Sequence, residues 1–224
     1  MKKSLLDTVI HAAALIGALG ATTTYAAEPI PGIVGKDDWL FYRYEMSDAT
    51  DTPMIDTSLD LIRRFNSVLA ANGITMAVTL VPLKMRVYAE HLPDDIKVND
   101  VMRGNYDRIS KVLRGSQINV IDLNTAFLNS AKRSSDTPLF YRLDTHWAPA
   151  GALLAGETIK TDIDANPALK KALGSTPEEG YKLVVGKRKI NSKSRDLVEQ
   201  LPKPVAVFAP EQTFAFDVNR ATPA

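Results

Sequence analysis

The sequence predicts an α/β sandwich with a mainly parallel sheet. Short apolar segments of strand length alternate with longer segments of helical periodicity, and residues 74–81 are almost continuously apolar. Such a run is typical of a strand covered on both faces, and alternating strands and helices favour a sheet with helices packed against it. The 224 residues are enough for one substantial domain with its own core.

Each predicted element rests on a local signal. Apolar residues at helical spacing and the Asn72-Gly73 pair define the first helix and its end. Asn99 or Asp100 supplies an N-cap for the second helix, and Pro149 suits the first turn of the last one. In order, the elements are a Pro/Gly lead-in (28–35), an aromatic strand (39–42), a polar loop (46–57), a helix (from 56–59 to 72), a strand (74–81), a helix (99–114), a strand (119–123), a helix (124–132) and a helix (148–163).

The region after Leu173 has a different composition. Residues 186–195 form a basic run without acidic residues, and Pro202-Lys203-Pro204 interrupts any regular element. We expect irregular structure or short edge strands here. The basic run is either a solvated loop or a surface that attracts a polyanion.

The N-terminus has the pattern of a secretory signal peptide. Lys2 and Lys3 precede an apolar run from Val9 to Ala21, and small residues follow it. The run is shorter than the roughly 20 residues that span a bilayer. Residues 1–26 are therefore expected to be a signal peptide, with an uncleaved anchor as the alternative, and 27–224 the exported domain. The net charge of +1 indicates no nucleic-acid partner, and the absence of cysteine suits an oxidising compartment.

The strongest chemical signal is Asp144-Thr145-His146-Trp147, in an aromatic and apolar setting. An imidazole is a useful base near neutral pH, and a carboxylate can fix its tautomer. In an extended segment residues i and i+2 share a side, so Asp144 and His146 could face one pocket. A structural hydrogen bond is the simpler interpretation. A metal site is not predicted, because no third ligand stands at a recognisable spacing.

Three blocks together resemble the alginate O-acetyltransferase family (AlgJ- and AlgX-like), whose periplasmic members carry an SGNH-hydrolase-like domain. They are the block 140–147 just described, the block 35–42 (GKDDWLFY), and the block 81–88 (VPLKMRVY) followed by Leu92-Pro93. The resemblance implies a three-layer SGNH-hydrolase-like sandwich, with Asp144 as the orienting acid and His146 as the general base.

The nucleophile that the resemblance implies is a serine in a downstream G-x-S-x-S turn. No serine of the sequence stands in that motif, and the G-D-S block of SGNH hydrolases is also absent. We therefore expect a C-terminally shortened family member or a fragment, with an incomplete sheet. The serines after the leader are Ser47, Ser58, Ser67, Ser110, Ser116, Ser130, Ser134, Ser135, Ser175, Ser192 and Ser194.

Other residues have both a functional and a structural interpretation. Lys84 and Arg86 could contact an anionic sugar or lie in a solvated loop. Tyr141 and Trp147 could stack on a sugar ring or belong to the core. Asp122 could be a site residue or a helix cap. Tyr88 could likewise stack on a sugar ring or belong to the core, Trp39 is expected in the core, and His91 is assigned no role.

The resemblance implies periplasmic O-acetylation of an acidic exopolysaccharide, alginate first, through a Ser-His-Asp triad. No metal or dissociable cofactor is required. The partners it implies are the acidic polysaccharide and membrane-bound acetyl-donor and polymer-export proteins. Two alternatives remain open: a carbohydrate esterase, in which water replaces the sugar hydroxyl, and an inactive domain that binds polysaccharide or a partner.

Overall fold

One pair of parallel strands separates two layers of helices. The structure is a computed structural model, and it describes residues 30–174, 181–203 and 207–220. Strands β3 (Ala77–Leu80) and β4 (Asn119–Asp122) pair in register, with Ala77 opposite Asn119 and Leu80 opposite Asp122. The predicted leader, residues 1–26, and Ser175 lie outside the described residues.

The two faces of this pair contact different cores. Val120 packs with Leu59 and Leu113, which belong to helices α1 (Thr52–Ala71) and α3 (Asp100–Gly115). Its neighbour Ile121 packs on the other side with residues of helices α4 (Leu123–Asn129) and α5 (Pro149–Ala165). Successive strand residues point to opposite faces, and the result is the predicted helix–sheet–helix sandwich.

The other two strand pairs are antiparallel. Strand β1 (Gly32–Val34) pairs with β2 (Leu40–Tyr42), and β5 (Tyr181–Asn191) pairs with β6 (Gln212–Arg220). Antiparallel strands need only a turn, whereas parallel strands need a long crossover. The turn between β1 and β2 uses the left-handed region at Asp37 and Asp38, with φ of 54° and 60°. Within the described residues each pair is a separate two-stranded sheet, and only the β3–β4 sheet is parallel.

After Leu173 we expected irregular structure or short edge strands, and the described residues form strands that are longer than expected. Strands β5 and β6 are 11 and 9 residues long, and the basic run continues β5 as far as Asn191. A strand can carry charged residues on a face that is exposed to solvent. The overlooked signal is the alternation of Phe214, Phe216 and Val218 in β6, which has the period of a strand.

Several boundaries also differ from prediction. Helix α1 begins at Thr52 rather than near Asp56, because Pro53 occupies its first turn, where proline needs no hydrogen-bond acceptor. Strand β1 lies within the supposed lead-in. Strand β3 is shorter than 74–81, and its residues are exposed or half-buried rather than fully buried as expected of this run.

The remaining elements complete the frame around the site. Asn99 caps α3 as predicted, accepting a hydrogen bond from the Met102 N–H at 2.9 Å. No helix in the described parts of the chain is long and apolar enough to cross a membrane. The short helices are α2 (Lys84–Val87), α6 (Pro167–Leu173) and α7 (Asp196–Glu199), and 3₁₀ turns lie at Arg43–Glu45, Ala49–Asp51, Ala89–His91 and Ala131–Ser134.

Candidate active site

A closed loop carries the predicted aspartate and histidine to the surface. Its base is a β-bridge between Phe140 and Trp147, and the Tyr141 N–H donates to the His146 carbonyl at 3.2 Å. Phe140 is buried in the main core, and Trp147 packs against that core. The loop therefore projects from a fixed hydrophobic base, and α5 begins directly after it.

Asp144 and His146 make the contact that the sequence predicted. Oδ1 of Asp144 lies 2.7 Å from Nδ1 of His146 and also accepts the His146 backbone N–H at 3.0 Å. The geometry is a turn in which an aspartate bonds the backbone two residues on, rather than the extended segment we expected. The turn fixes both residues of the pair with one carboxylate oxygen.

The two partners differ sharply in exposure. The Asp144 side chain is only 6% exposed, whereas that of His146 is 76% exposed. An imidazole whose Nδ1 faces a carboxylate carries its proton there when neutral, and Nε2 is then the basic atom. His146 is thus held from beneath while its ring is accessible to a reactant.

Asp144 is arranged to remain ionised. Burial opposes its charge, but the N–H groups of Asp196 and His146 and the imidazole outweigh burial. The pKa of Asp144 consequently lies below its ordinary value of 3.8. An ionised carboxylate next to Nδ1 stabilises the imidazolium that forms when the ring accepts a proton.

Asp196, which the sequence analysis missed, holds this loop from the side of α7. Its N–H donates to Oδ2 of Asp144 at 2.9 Å, and its carboxylate accepts the Thr145 N–H at 2.8 Å and the Thr145 hydroxyl at 2.5 Å. Its Oδ2 lies 3.6 Å from Nδ1 of His146. Asp196 therefore positions both Asp144 and Thr145, the residue between Asp144 and His146.

Replacing Asp196 with alanine should loosen the loop without removing the Asp144–His146 contact, because the backbone N–H at 196 is retained. The Thr145 amide loses a charged acceptor, so its hydrogen exchange should accelerate on the order of tenfold to a hundredfold. Glu199→Ala, in the same short helix, is the matched control. Unchanged exchange at Thr145 in Asp196→Ala would contradict the positioning role.

Glu211 and Lys84 bind the same loop from below. The buried Glu211 carboxylate accepts the Arg142 N–H at 2.8 Å and the Leu143 N–H at 3.4 Å. Burial raises the pKa of Glu211, although these N–H groups and the charges of Arg142 and Lys84 oppose the rise. The Lys84 ammonium donates to the carbonyls of Arg142 and Asp144, each at 2.9 Å.

The position of Lys84 corrects the expectation that it contacts substrate. The residue is 1% exposed, and a polysaccharide cannot reach a buried ammonium whose protons are already donated to protein carbonyls. Arg86 is half-buried, and its guanidinium donates to Oδ1 of Asn124 and to the carbonyls of Met102 and Arg103. Arg86 is not brought to the Asp144–His146 pair by these contacts, and Lys84 reaches the pair only at the Asp144 backbone carbonyl.

Tyr141 and Trp147 remain next to the pair. Both are half-buried, and the Trp147 ring lies 6.2 Å from that of Phe127. Trp147 therefore has a packing role at the base of the loop, while its stacking on a sugar stays a prediction, as does that of Tyr141.

The two interpretations of Asp122 are resolved by a hydrogen bond. Asp122 is a helix cap, since its carboxylate accepts the Thr125 N–H at 3.0 Å. His91, to which no role was assigned, stacks on Trp39 at 4.9 Å and contacts Asp37. In the described part of the chain, no serine hydroxyl is among the hydrogen-bond partners of His146, whose ring contacts Asp144 and Thr145.

The chemistry of the donor atoms favours an oriented imidazole over a metal centre. Asp144, His146 and Asp196 offer atoms within 4.8 Å of one another. Their carboxylate oxygens, however, already accept backbone and hydroxyl protons, and Nδ1 of His146 is engaged by Asp144. The residues thus form an aspartate–histidine pair with a supporting second carboxylate.

This fold and this pair define an SGNH-hydrolase-like domain. The family model described as "SGNH hydrolase-like domain, acetyltransferase AlgX" matches residues 33–212, and the chain belongs to that family. The match includes all three sequence blocks and every residue of the loop, so the predicted family and fold are confirmed.

Relatives and solved structures agree with this assignment. The chain is 27% identical over 176 residues to the probable alginate O-acetylase AlgJ of Pseudomonas aeruginosa, and 31% identical over 140 residues to that of Pseudomonas fluorescens. These matches cover 77% and 61% of this chain but 41% and 35% of the relatives.

Two solved structures share the fold. The O-acetyltransferase domain of Pseudomonas putida AlgJ superposes with a TM-score of 0.69 at 23% identity, over 84% of this chain and 65% of that one. Pseudomonas aeruginosa AlgX gives 0.66 at 17% identity, over 86% and 44%. The chain thus spans less than half the length of the AlgJ relatives and of AlgX.

Proposed function

We propose that this protein acts in the periplasm in the O-acetylation of an acidic exopolysaccharide, with alginate as the first candidate. The observation that carries the proposal is the 2.7 Å contact between the buried Asp144 carboxylate and Nδ1 of the exposed His146. The names of the relatives supply the reaction, and the leader pattern at residues 1–26 supplies the compartment.

The pair would serve acetyl transfer in two half-reactions. His146 takes the proton of a nucleophilic hydroxyl through Nε2, and the hydroxyl oxygen attacks the acetyl carbonyl of the donor. The protonated imidazole then returns its proton to the leaving group. In the second half, His146 deprotonates a sugar hydroxyl, whose oxygen attacks the acyl carbonyl; the bond from this carbonyl to the nucleophile oxygen breaks, and the imidazolium returns its proton to that oxygen. Asp144 stabilises the imidazolium each time.

The first hydroxyl is the component that this chain does not identify. The family resemblance implies a serine in a G-x-S-x-S turn, and that motif is absent from the 224 residues. We therefore assign His146 and Asp144 their roles and name no residue of this chain as the nucleophile. The acetyl donor would be delivered by membrane-bound partners, as the resemblance implies.

A basic surface beside the loop is suited to an acidic polymer. Lys193 and Arg195 are exposed and, with Leu143 of the loop, line a surface pocket of about 320 Å³. Residues 186–195 contain no acidic residue, although Lys189 forms an ion pair with Asp136. A polyuronate lying along this surface would pass close to the Asp144–His146 loop.

The double substitution Lys193→Gln and Arg195→Gln should weaken polyuronate binding about tenfold, since each exposed ionic contact contributes about 0.7 kcal/mol. The difference should disappear at high salt, because exposed charges are screened. Fluorescence anisotropy with a labelled oligouronate measures both effects. Lys170→Gln with Lys171→Gln, an exposed pair on α6, is the control. Equal affinity of both double variants would refute this role for the basic surface.

The proposed function is tested by deleting the gene in the host and measuring acetyl esters in the secreted polymer by ¹H NMR. We expect acetylation to be lost and to return when the gene is restored. The esterase alternative predicts a higher acetyl content in the deletion strain. An unchanged acetyl content would contradict both enzymatic roles.

The binding-only alternative is supported by the lack of a serine partner for His146 in the part of the chain that the structure describes. It predicts that deletion lowers acetylation but that His146→Ala restores it as well as the wild type does. His146→Ala therefore separates the catalytic function from the binding-only function. The His146 side chain is exposed, so we expect the fold to tolerate its removal.

A further inference from the structure

Lys84 occupies an unusual position beneath the catalytic loop. Its ammonium donates to three backbone carbonyls: Leu40 at 2.6 Å, Arg142 at 2.9 Å and Asp144 at 2.9 Å. The first belongs to β2 and the other two to the loop. Leu40 itself donates its N–H to the Arg142 carbonyl at 2.9 Å. One side chain from α2 thus joins the loop to the antiparallel strand pair.

The bonding pattern matches a charged ammonium. An ammonium has three donor protons and no acceptor, and Lys84 uses all three on carbonyls. The ring centroids of Trp39 and Phe41 each lie 5.4 Å from Nζ, where an aromatic face attracts a cation. A neutral amine has one proton fewer, so it would leave one of the three carbonyls without its donor.

The surrounding charges also favour the ammonium. Glu45, Glu211, Asp144 and Asp196 all attract it, whereas burial opposes it and lowers the pKa of Lys84 to about 7. The charged form is therefore present at the acidic side of neutrality, and the neutral form is reached within the physiological range.

We infer that Lys84 is a positioning residue: it holds the Asp144 backbone so that the carboxylate fixes the Nδ1–H tautomer of His146. This inference rests on the proposed role of His146 and Asp144. Lys84 does not touch a reactant, and it acts through the Asp144 carbonyl. Its removal would free two carbonyls of the loop, and the Asp144–His146 contact would become one of several arrangements.

The test uses the ¹⁵N spectrum of the imidazole rings below the Lys84 transition, where the ammonium is charged, and follows the tautomers of the neutral imidazole population. In wild-type protein we expect His146 in a single Nδ1–H tautomer. In Lys84→Met we expect a mixture of both tautomers, with the His91 spectrum unchanged. Lys36→Met, which removes an exposed lysine paired with Asp94, is the matched control. A purely structural lysine would lower the free energy of unfolding in Lys84→Met but leave the tautomer of His146 as it is, and that result would overturn the inference.

A chemical rescue sharpens the comparison. The chain contains no cysteine, so Lys84→Cys provides a unique thiol, which 2-bromoethylamine converts in the unfolded chain to a thioether analogue of lysine. The refolded product should regain the single tautomer. Iodoacetamide treatment, which gives a side chain with an uncharged amide end, should not. Equal behaviour of the two products would show that the ammonium is not what positions Asp144.

The wild-type protein supplies the test if the variants fail to fold. Raising the pH through the Lys84 transition should shift the carbonyl ¹³C signals of Leu40, Arg142 and Asp144. Within the neutral imidazole population, the Nδ1–H fraction of His146 should fall over the same transition. A constant fraction would overturn the inference. These NMR measurements do not involve acetyl transfer, so they test the role of Lys84 separately from the proposed function. If the proposed function is wrong, His146 will still be found in one tautomer, but its substitution will not change polymer acetylation.

Discussion

Asp144→Asn should reduce acetylation of the secreted polymer to the level of the deletion strain. An asparagine cannot stabilise an imidazolium by charge, and its amide can face Nδ1 with a donor, which selects the wrong tautomer of His146. The corresponding substitution in a Ser-His-Asp triad lowers kcat about 10⁴-fold. The measurement is the acetyl content of polymer from the deletion strain that expresses the variant.

The matched control is Asp164→Asn, which removes an exposed carboxylate of α5 paired with Lys160. It should restore acetylation fully. Full restoration by Asp144→Asn as well would show that the carboxylate charge has no part in the reaction.

The same variant has a predicted pH signature in stability. The folded pKa of Asp144 is lowered, so its ionised form stabilises the fold above the unfolded value of about 3.9. This contribution is lost as the pH falls through the folded pKa. The difference in unfolding free energy between wild type and Asp144→Asn should therefore be largest near neutral pH and shrink in acid. A difference that is constant with pH would contradict the assigned ionisation.

Gly151→Ala should destabilise the protein by about 1–3 kcal/mol, because an added Cβ overpacks the start of α5. That atom would lie 2.2 Å from the Leu139 carbonyl oxygen and 3.0 Å from Cβ of Trp147. The Leu139 carbonyl already accepts the Ala148 N–H at 2.8 Å, so it cannot move without disturbing the base of the loop that carries Asp144 and His146. Urea denaturation measures the loss.

Gly156→Ala provides the control in the same helix. Nothing lies within 4 Å of a Cβ added there, and alanine in an exposed helix interior is more favourable than glycine by about 0.5–1 kcal/mol. The two substitutions should thus change the unfolding free energy in opposite directions. Equal changes would contradict the close approach of α5 to Leu139.

The part of the site that is local in sequence could be predicted. Asp144 and His146 are two residues apart, and a short turn is enough to bring an aspartate carboxylate to the histidine. The family blocks, α3 with its cap at Asn99, and β4 were also predictable, because each depends on neighbouring residues. Strand β6 carried a local signal as well, in its alternating apolar residues.

The residues that hold the loop in place could not be predicted, because they are distant in sequence from Asp144 and His146. Lys84 and Asp196 lie on short helices, and Glu211 precedes β6, yet all three converge on residues 142–145. Nothing near these residues distinguishes them from exposed charges. Lys84 in particular was expected to meet substrate, since a lysine after a strand is usually solvated. It is buried where β2 meets the loop, and it donates to carbonyls of both.

The most direct test of the central claim compares the two histidines of the described chain in the deletion strain. Polymer from cells that express His146→Ala should lack acetyl esters, whereas His91→Gln, which alters a ring stacked on Trp39 that does not contact Asp144, should restore them. Normal acetylation with His146→Ala would contradict the assignment of His146 as the base and would leave the chain a binding role.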